Sequence, residues 1–185
     1  ARLLPPSFSF PGDFQQFWNR STPVRLEEDV SVRGFSREDM ILILAYHGLK
    51  NQWRALKHVT DLSGLICGDP DPDWNVLIRR AERMNATRVL ALGLSLTQDL
   101  LDAPLPTGVE DWIDRRSVEE TTMIMADYLR NQDAPSRSVF GSWVDSTWQK
   151  ADTRLQLKMK DTVLGQIRHI AYAVAHVIWS TVLKP

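Results

Sequence analysis

The stretch SREDMILILAYHGLKNQWRALKHVTDLSGLIC, Ser36 to Cys67, decides how this chain reads. Ser36 stands three residues ahead of Asp39, so its hydroxyl can accept the Asp39 amide. Asp39 in the first turn also suits the positive end of a helix dipole. Met40 to Leu49 is apolar nearly all round, the pattern of a helix buried on most sides. Gly48 and the polar run Lys50-Asn51-Gln52 break or kink it, and a second helical stretch runs from Trp53 to Cys67. Such a unit predicts a mainly α fold. It also carries His47, Lys50, Trp53, His58 and Asp61 into an apolar helical region, so these are either a site or the polar stitching of a core.

Upstream, Leu3 to Pro11 is rich in proline and serine and reads as an extended lead-in. Asp13 to Arg20 places Phe14, Phe17 and Trp18 at the spacing of a short amphipathic helix. VRL (24–26) and VSV (30–32), separated by EED, predict a small β-hairpin. Downstream, GDPDPDW (68–74) is a turn in which Asp71 or Asp73 caps the next helix. That helix runs to about Met84, with Asn85 suited to its C-terminal cap. The leucine-rich stretch Ala86 to Leu101 is the expected central core helix, and DAPLPTG (102–108) breaks the chain after it. Ser117-Val-Glu-Glu120 has the form of a capping box opening a helix to about Asn131.

NQDAPSRS (131–138) reads as a flexible linker, and the pattern from Val144 to Leu183 is helical. The predicted architecture is a multi-helix bundle with one short β-hairpin near the N-terminus. Residues 1–35 hold the lead-in, short helix and hairpin. Residues 36–130 form the helical core domain. Residues 139–185 form a long helical segment packing on that core.

Composition narrows the function classes. The chain has 185 residues, with 22 basic side chains against 23 acidic ones. This balance argues against a general polyanion binder. Cys67 is the only cysteine, so no intramolecular disulfide can form, and a reducing cytoplasm is expected. The longest apolar run, Ile170 to Trp179, is well short of the ~20 residues that span a bilayer, and no membrane partner is expected. The opening on ARLLPP and the close on TVLKP suggest a piece of a longer protein.

Each polar residue of the opening stretch has a plain structural reading. His47 follows Met40 and Leu44 by seven and three residues, which places it on an apolar face as a satisfied core histidine. Lys50 either contacts a substrate phosphate or extends its stem from a helix end into water. Trp53 reads as a wedge between helices. Asp61 could be a buried partner for His47, Lys50 or His58, since a buried carboxylate needs one. Asp69, Asp71 and Asp73 alternate like calcium ligands, but Trp74 and Arg80 occupy positions that need glycine and glutamate. No nucleophile elbow, zinc pattern or glycine-rich dinucleotide loop is present. Cys67 could meet His47 or His58 in space, though a lone cysteine at a helix end is usually packing. Lys150, Arg154 and Lys158 form a basic stripe with Lys160 and Arg168 nearby, interrupted by Asp152 and Asp161. A solvated face explains it better than a nucleic-acid backbone.

The order LLPPSFSFP, DFQQFWNRSTPVRL, VSVRGFSREDMILILAYHGLKNQWRALKHVTDLSGLI and DPDWNVLIRRAERMNATRVLALGLSLTQDLLDAPLP resembles one family. It is similar to the C-terminal helical half of bacterial "uncharacterised nucleotidyltransferase family" proteins, of the polymerase-β-like superfamily. The resemblance covers roughly Leu3 to Pro106. His47, Lys50, Trp53 and Asp61 match the family's histidine–lysine–tryptophan–aspartate series. Asn51 departs from it, standing where many members have a second histidine.

The resemblance implies a nucleotidyltransferase domain upstream. In such domains a glycine-serine loop holds phosphates, and carboxylates hold two Mg²⁺ ions that activate the attacking oxygen and stabilise the leaving pyrophosphate. Mg²⁺ and a nucleoside triphosphate (NTP) are thus implied for the full-length protein, with no cofactor, metal ligand or catalytic residue in this chain. His47, Lys50 and Asp61 are then the implied substrate contacts, and the partners are the missing catalytic domain and an acceptor of unknown identity. The expected role is the accessory, substrate-side part of a nucleotidyltransferase, inactive alone. A stand-alone helical protein-interaction module is the alternative, and a nucleic-acid-binding helical domain the weaker third.

Overall fold

A computed structural model describes residues 14–27, 30–68 and 71–131. Among them are seven helices and a two-stranded antiparallel hairpin, so the protein is mainly α with one small β element near the N-terminus. The expected helical segment over 139–185 lies outside the described residues, as do the lead-in before Phe14 and Asp69. No helix among the described residues is long and apolar enough to cross a membrane.

Helix α1 (Phe14–Asn19) buries Phe17, whose ring meets Phe35 edge-on at 6.0 Å. Strands β1 (Thr22–Glu27) and β2 (Val30–Gly34) pair Val24 with Val32 and Glu27 with Val30, with an irregularity between Arg25 and Glu27. The strands therefore extend past the expected VRL and VSV at both outer ends. Since side chains alternate along a strand, Val24, Val32 and Val30 share one face with Leu26 beside them. All four are exposed.

Helix α2 (Arg37–Lys50) starts where the sequence places it: the Ser36 hydroxyl accepts the Asp39 amide at 3.3 Å. Asp39 does more than sit in a favourable field. It is fully buried, with Arg20 Nε donating to its Oδ2 at 2.8 Å and Arg20 Nη2 to Oδ1 at 3.0 Å. Arg80 Nη1 reaches the same Oδ1 at 3.0 Å and donates to the Ser36 hydroxyl at 2.6 Å. A carboxylate removed from water is tolerable only with such charge-assisted bonds on both oxygens. This network ties the end of α1 and the later helix that carries Arg80 to the start of α2.

Helix α3 (Leu56–Ile66) begins later than the sequence suggests, because residues 51–55 form the connection from α2. Helix α4 (Trp74–Arg83) is capped by Asp73, whose Oδ1 accepts the Val76 amide at 2.9 Å. It ends with Asn85 in the left-handed region, where the short polar side chain is tolerated. Helix α5 (Thr87–Leu101) buries every residue from Val89 to Leu94, together with Leu96 and Thr97, and packs on α2, α3, α4, α6 and α7. It is the centre of the core, as its leucine content predicts. Gly93 permits this close packing: a Cβ there would come within 2.8 Å of Leu62 and 3.3 Å of the Trp53 ring.

Two features depart from expectation. Helix α6 (Thr107–Asp114) follows the proline-rich break with no counterpart in the sequence reading. It forms because Val109, Trp112 and Ile113, at helical spacing, all bury on one side. Helix α7 (Glu119–Arg130) does not use the expected capping box. Val118 occupies the cap position without a side-chain bond, and Ser117 adopts a left-handed φ of 53°. Val118 is nearly fully buried, and anchoring its apolar side chain outweighs a single capping bond at the surface.

Candidate functional site at the α2–α3 corner

The candidate site residues lie where α2 turns into α3. The turn closes with two backbone bonds: Gln52 N–H to Leu49 O at 2.9 Å, and Trp53 N–H to Gly48 O at 2.8 Å. This is the bond pattern of a Schellman cap, with Gln52 at the position glycine usually fills. Gln52 and Trp53 both have positive φ, 56° and 50°. Left-handed backbone costs a residue with a Cβ about 1–2 kcal/mol. What holds it is the indole of Trp53, fully buried over Gly48. A Cβ on Gly48 would lie 2.5–2.6 Å from that ring. Gly48 thus seats Trp53 inside the helix instead of breaking it, and α2 runs two residues further to Lys50.

Around this strained turn, polar atoms are buried without hydrogen-bond partners: Gln52 Oε1, Trp53 Nε1 and His58 Nδ1. A further such atom, Trp112 Nε1, lies on α6. An unsatisfied buried polar group costs about 1–3 kcal/mol, so three within seven residues mark an unusual locality.

The histidines are placed differently from the sequence reading. His47 is exposed: Tyr46, Gly48 and Leu49 around it are buried, and His47 takes the side of the turn that faces water. The buried histidine is His58, in the first turn of α3, and its ring meets that of His47 edge-on with centroids 5.1 Å apart. Burial pushes the His58 pKa below its ordinary 6.5, and the neighbouring His47 and Lys57 push the same way, against the opposing pull of Asp61. His58 is therefore a neutral imidazole at pH 7. Asn51 caps α2 by donating its amide to His47 O at 2.7 Å, and the same nitrogen lies 3.3 Å from His47 Nε2.

Lys50 and Asp61 are both exposed. Asp61 is not the buried carboxylate partner anticipated for His47, Lys50 or His58; its effect on His58 acts through space. The fully buried aspartate is Asp39, at the opposite end of α2. Cys67 meets neither histidine: it is exposed at the far end of α3, with Ser63 Oγ 3.8 Å from its sulfur. His47 and His58 are thus brought together, Trp53 is buried against Gly48, and Lys50 and Asp61 stand exposed on the two helices. The sequence offers His58 only as a partner for Asp61, and its burial next to a histidine one helix away has no local sequence signal.

No group of three or more His, Cys, Asp or Glu among the described residues is placed to hold a metal ion. What the corner can do is bind and orient: it offers an exposed cation, an exposed imidazole fixed by Asn51, and a neutral imidazole behind it.

Comparison with known proteins bears on the first half of the chain. The family described as uncharacterised nucleotidyltransferase matches residues 1–102. The match ends at the C-cap of α5 and includes the whole α2–α3 corner. No curated protein and no solved structure matches the chain. With more than half of its length matched, the chain belongs to the uncharacterised nucleotidyltransferase family.

Proposed function

We propose that this chain is the C-terminal helical, acceptor-side part of a nucleotidyltransferase, inactive alone. Its phosphate-binding loop and metal-holding carboxylates would lie on residues outside the sequence given. Mg²⁺ and the NTP would bind there, and a reducing cytoplasm suits the single thiol. The observation carrying this reading is the α2–α3 corner, where strained backbone and unpartnered buried polar atoms stand within the region matched by the family. Strain and unsatisfied polarity persist where a site requires them.

In this reading Lys50 presents a point charge to an anionic part of the substrate, and His47 accepts or donates one hydrogen bond to it. His58 stays neutral and backs His47, and Asp61 limits the local positive potential. Nucleotide chemistry would come from the metals of the catalytic domain; these residues would bind and orient the acceptor.

Two steps test the proposal. The coding sequence upstream of Ala1 should continue in frame with a glycine-serine loop and an Asp-x-Asp pair, whereas a start codon immediately before Ala1 would refute the acceptor-side reading. In the full-length protein, Lys50→Ala should lower NTP-dependent pyrophosphate release by about tenfold, equivalent to roughly 1.4 kcal/mol. Unchanged turnover in a folded Lys50→Ala protein would remove the corner from the proposal and leave family membership untouched. A second reading, a helical module that binds a protein partner, is favoured by the exposed apolar hairpin face at Val24, Leu26, Val30 and Val32.

A further inference from the structure

The hairpin turns its polar face inward and its apolar face outward. Arg33 Nη2 donates to Ser21 O at 3.1 Å, and its guanidinium lies over the Trp18 ring at 5.3 Å, so the face of Arg33 rests on the end of α1. The opposite face carries Val24, Val30 and Val32 with Leu26 beside them, and each is at least 42% exposed. Two strands alone are marginally stable in water, and further strands across an apolar face are what makes such a sheet secure. Among the described residues, β1 and β2 have only each other as strand partners.

The two outer edges of this hairpin differ. β1 carries Pro23, which has no amide hydrogen to donate, and the irregularity between Arg25 and Glu27. Both features blunt an edge against further pairing. β2 has neither: its five residues, Val30–Gly34, include no proline and no extra residue. We propose that β2 pairs antiparallel with the same strand of a second copy of this chain, about a two-fold axis at Val32, to form one four-stranded sheet.

The strand is complementary to itself in this register, as an isologous contact requires. All five residues of β2 pair: Val32 faces the second copy's Val32, Ser31 faces its Arg33, and Val30 faces its Gly34. Within each copy Val24 already pairs with Val32, so four valines fall in one row across the sheet. Gly34 has no side chain, and Val24 Cγ2 lies 2.8 Å from where its Cβ would be. Val30 of one copy therefore meets Val24 of the other above that glycine. On the opposite face Arg33 meets a serine, whereas an axis moved one residue on, to Arg33, would set two like charges against each other. Area fixes the strength. A strand of this length spans about 17 Å, and its pairing covers much less than the ~800 Å² per partner of a stable complex. The dimer is accordingly weak, with a Kd of about 0.1 mM.

The test uses the full chain with Cys67→Ser, which leaves no native thiol. Val32→Cys and Val24→Cys are each added to it, oxidised separately, and the disulfide-linked dimer is measured. At the proposed axis the two Val32 Cα atoms stand about 4.5–5.5 Å apart, within disulfide reach. The two Val24 positions stand three strand spacings apart, about 14 Å, which no disulfide spans. Val32 and Val24 are 45% and 42% exposed on the same face, so random collision treats them alike. The proposal expects Val32→Cys to give about ten times the linked dimer of Val24→Cys. In sedimentation equilibrium it expects the unaltered chain to dimerise at a few hundred micromolar, and Val32→Lys to weaken that at least tenfold. Equal linking at the two positions would mean that the valine faces meet face to face or by chance, and would overturn the pairing. An unaltered chain that stays monomeric at about 0.5 mM would overturn it too, as would a Val32→Lys dimer of unchanged strength.

Discussion

The two ends of α2 handle polarity in opposite ways. At the N-terminal end, Asp39 is fully buried, and both of its oxygens are met by Arg20 and Arg80 within 3.0 Å. At the C-terminal end, Gln52, Trp53 and His58 each bury a polar atom that no protein group meets, next to two residues in left-handed backbone. Both ends bury polar atoms, so burial alone does not separate them. Satisfaction does. The complete network has the character of a structural clamp, and the incomplete one has the character of a place kept available for something else.

The largest effect that would break this comparison is at the clamp. Asp39→Ala leaves Arg20 without its buried carboxylate and Arg80 with only Glu38, at 3.6 Å, and it should destabilise the fold by about 3–5 kcal/mol, read as a lower urea midpoint. A loss under about 1 kcal/mol would mean that water already carries those charges. At the opposite end of the helix, Gln52→Gly places glycine at the cap position that favours it and removes one orphaned oxygen. It should stabilise the fold by roughly 1 kcal/mol. A loss in stability would show that the Gln52 side chain does structural work in the free protein.

The smallest effect is on pH dependence. His58 has a lowered folded pKa, so as pH falls through 6.5 the unfolded chain takes up a proton that the folded chain refuses. Stability from this group is therefore intact above about pH 7 and declines as pH falls through 6.5 towards the folded value. His58→Gln should flatten that decline in urea melts between pH 7 and 5. An unchanged slope would locate the effect in another group.

Local chemistry was legible in the sequence and distant partnership was not. The caps at Ser36 and Asp73 depend on residues three apart, and both form. The hairpin follows from its alternating apolar residues, although the face they form is exposed, and the core helix from a leucine content that only burial on most sides explains. Asp39 was read as a first-turn charge because nothing near it names Arg20 or Arg80. His47 was placed on an apolar face because α2 is apolar almost all round, which hides where its core contact ends. Tyr46, Gly48 and Leu49 take the core side of its last turn, and His47 is left on the side that faces water. The box at Ser117 failed for the converse reason: a local signal lost to the burial of Val118. At the candidate site, the sequence supplied the residue types, while the seating of Trp53 on Gly48 and the pairing of His47 with His58 came from two helices meeting.

The Asp39 clamp also has a consequence for the order of events in folding. Its arginines come from opposite directions along the chain: Arg20 is 19 residues from Asp39, and Arg80 is 44 residues from Ser36. Neither link can form until a long loop has closed, and loop closure precedes any reward from such contacts. Helices α2, α4 and α5 need no such partners to begin. The clamp is accordingly a late lock, and the Asp39→Ala chevron should show it mainly in a steeper rise of the unfolding rate, with the refolding rate little changed. A protein closed in this way is held shut by what it completes last.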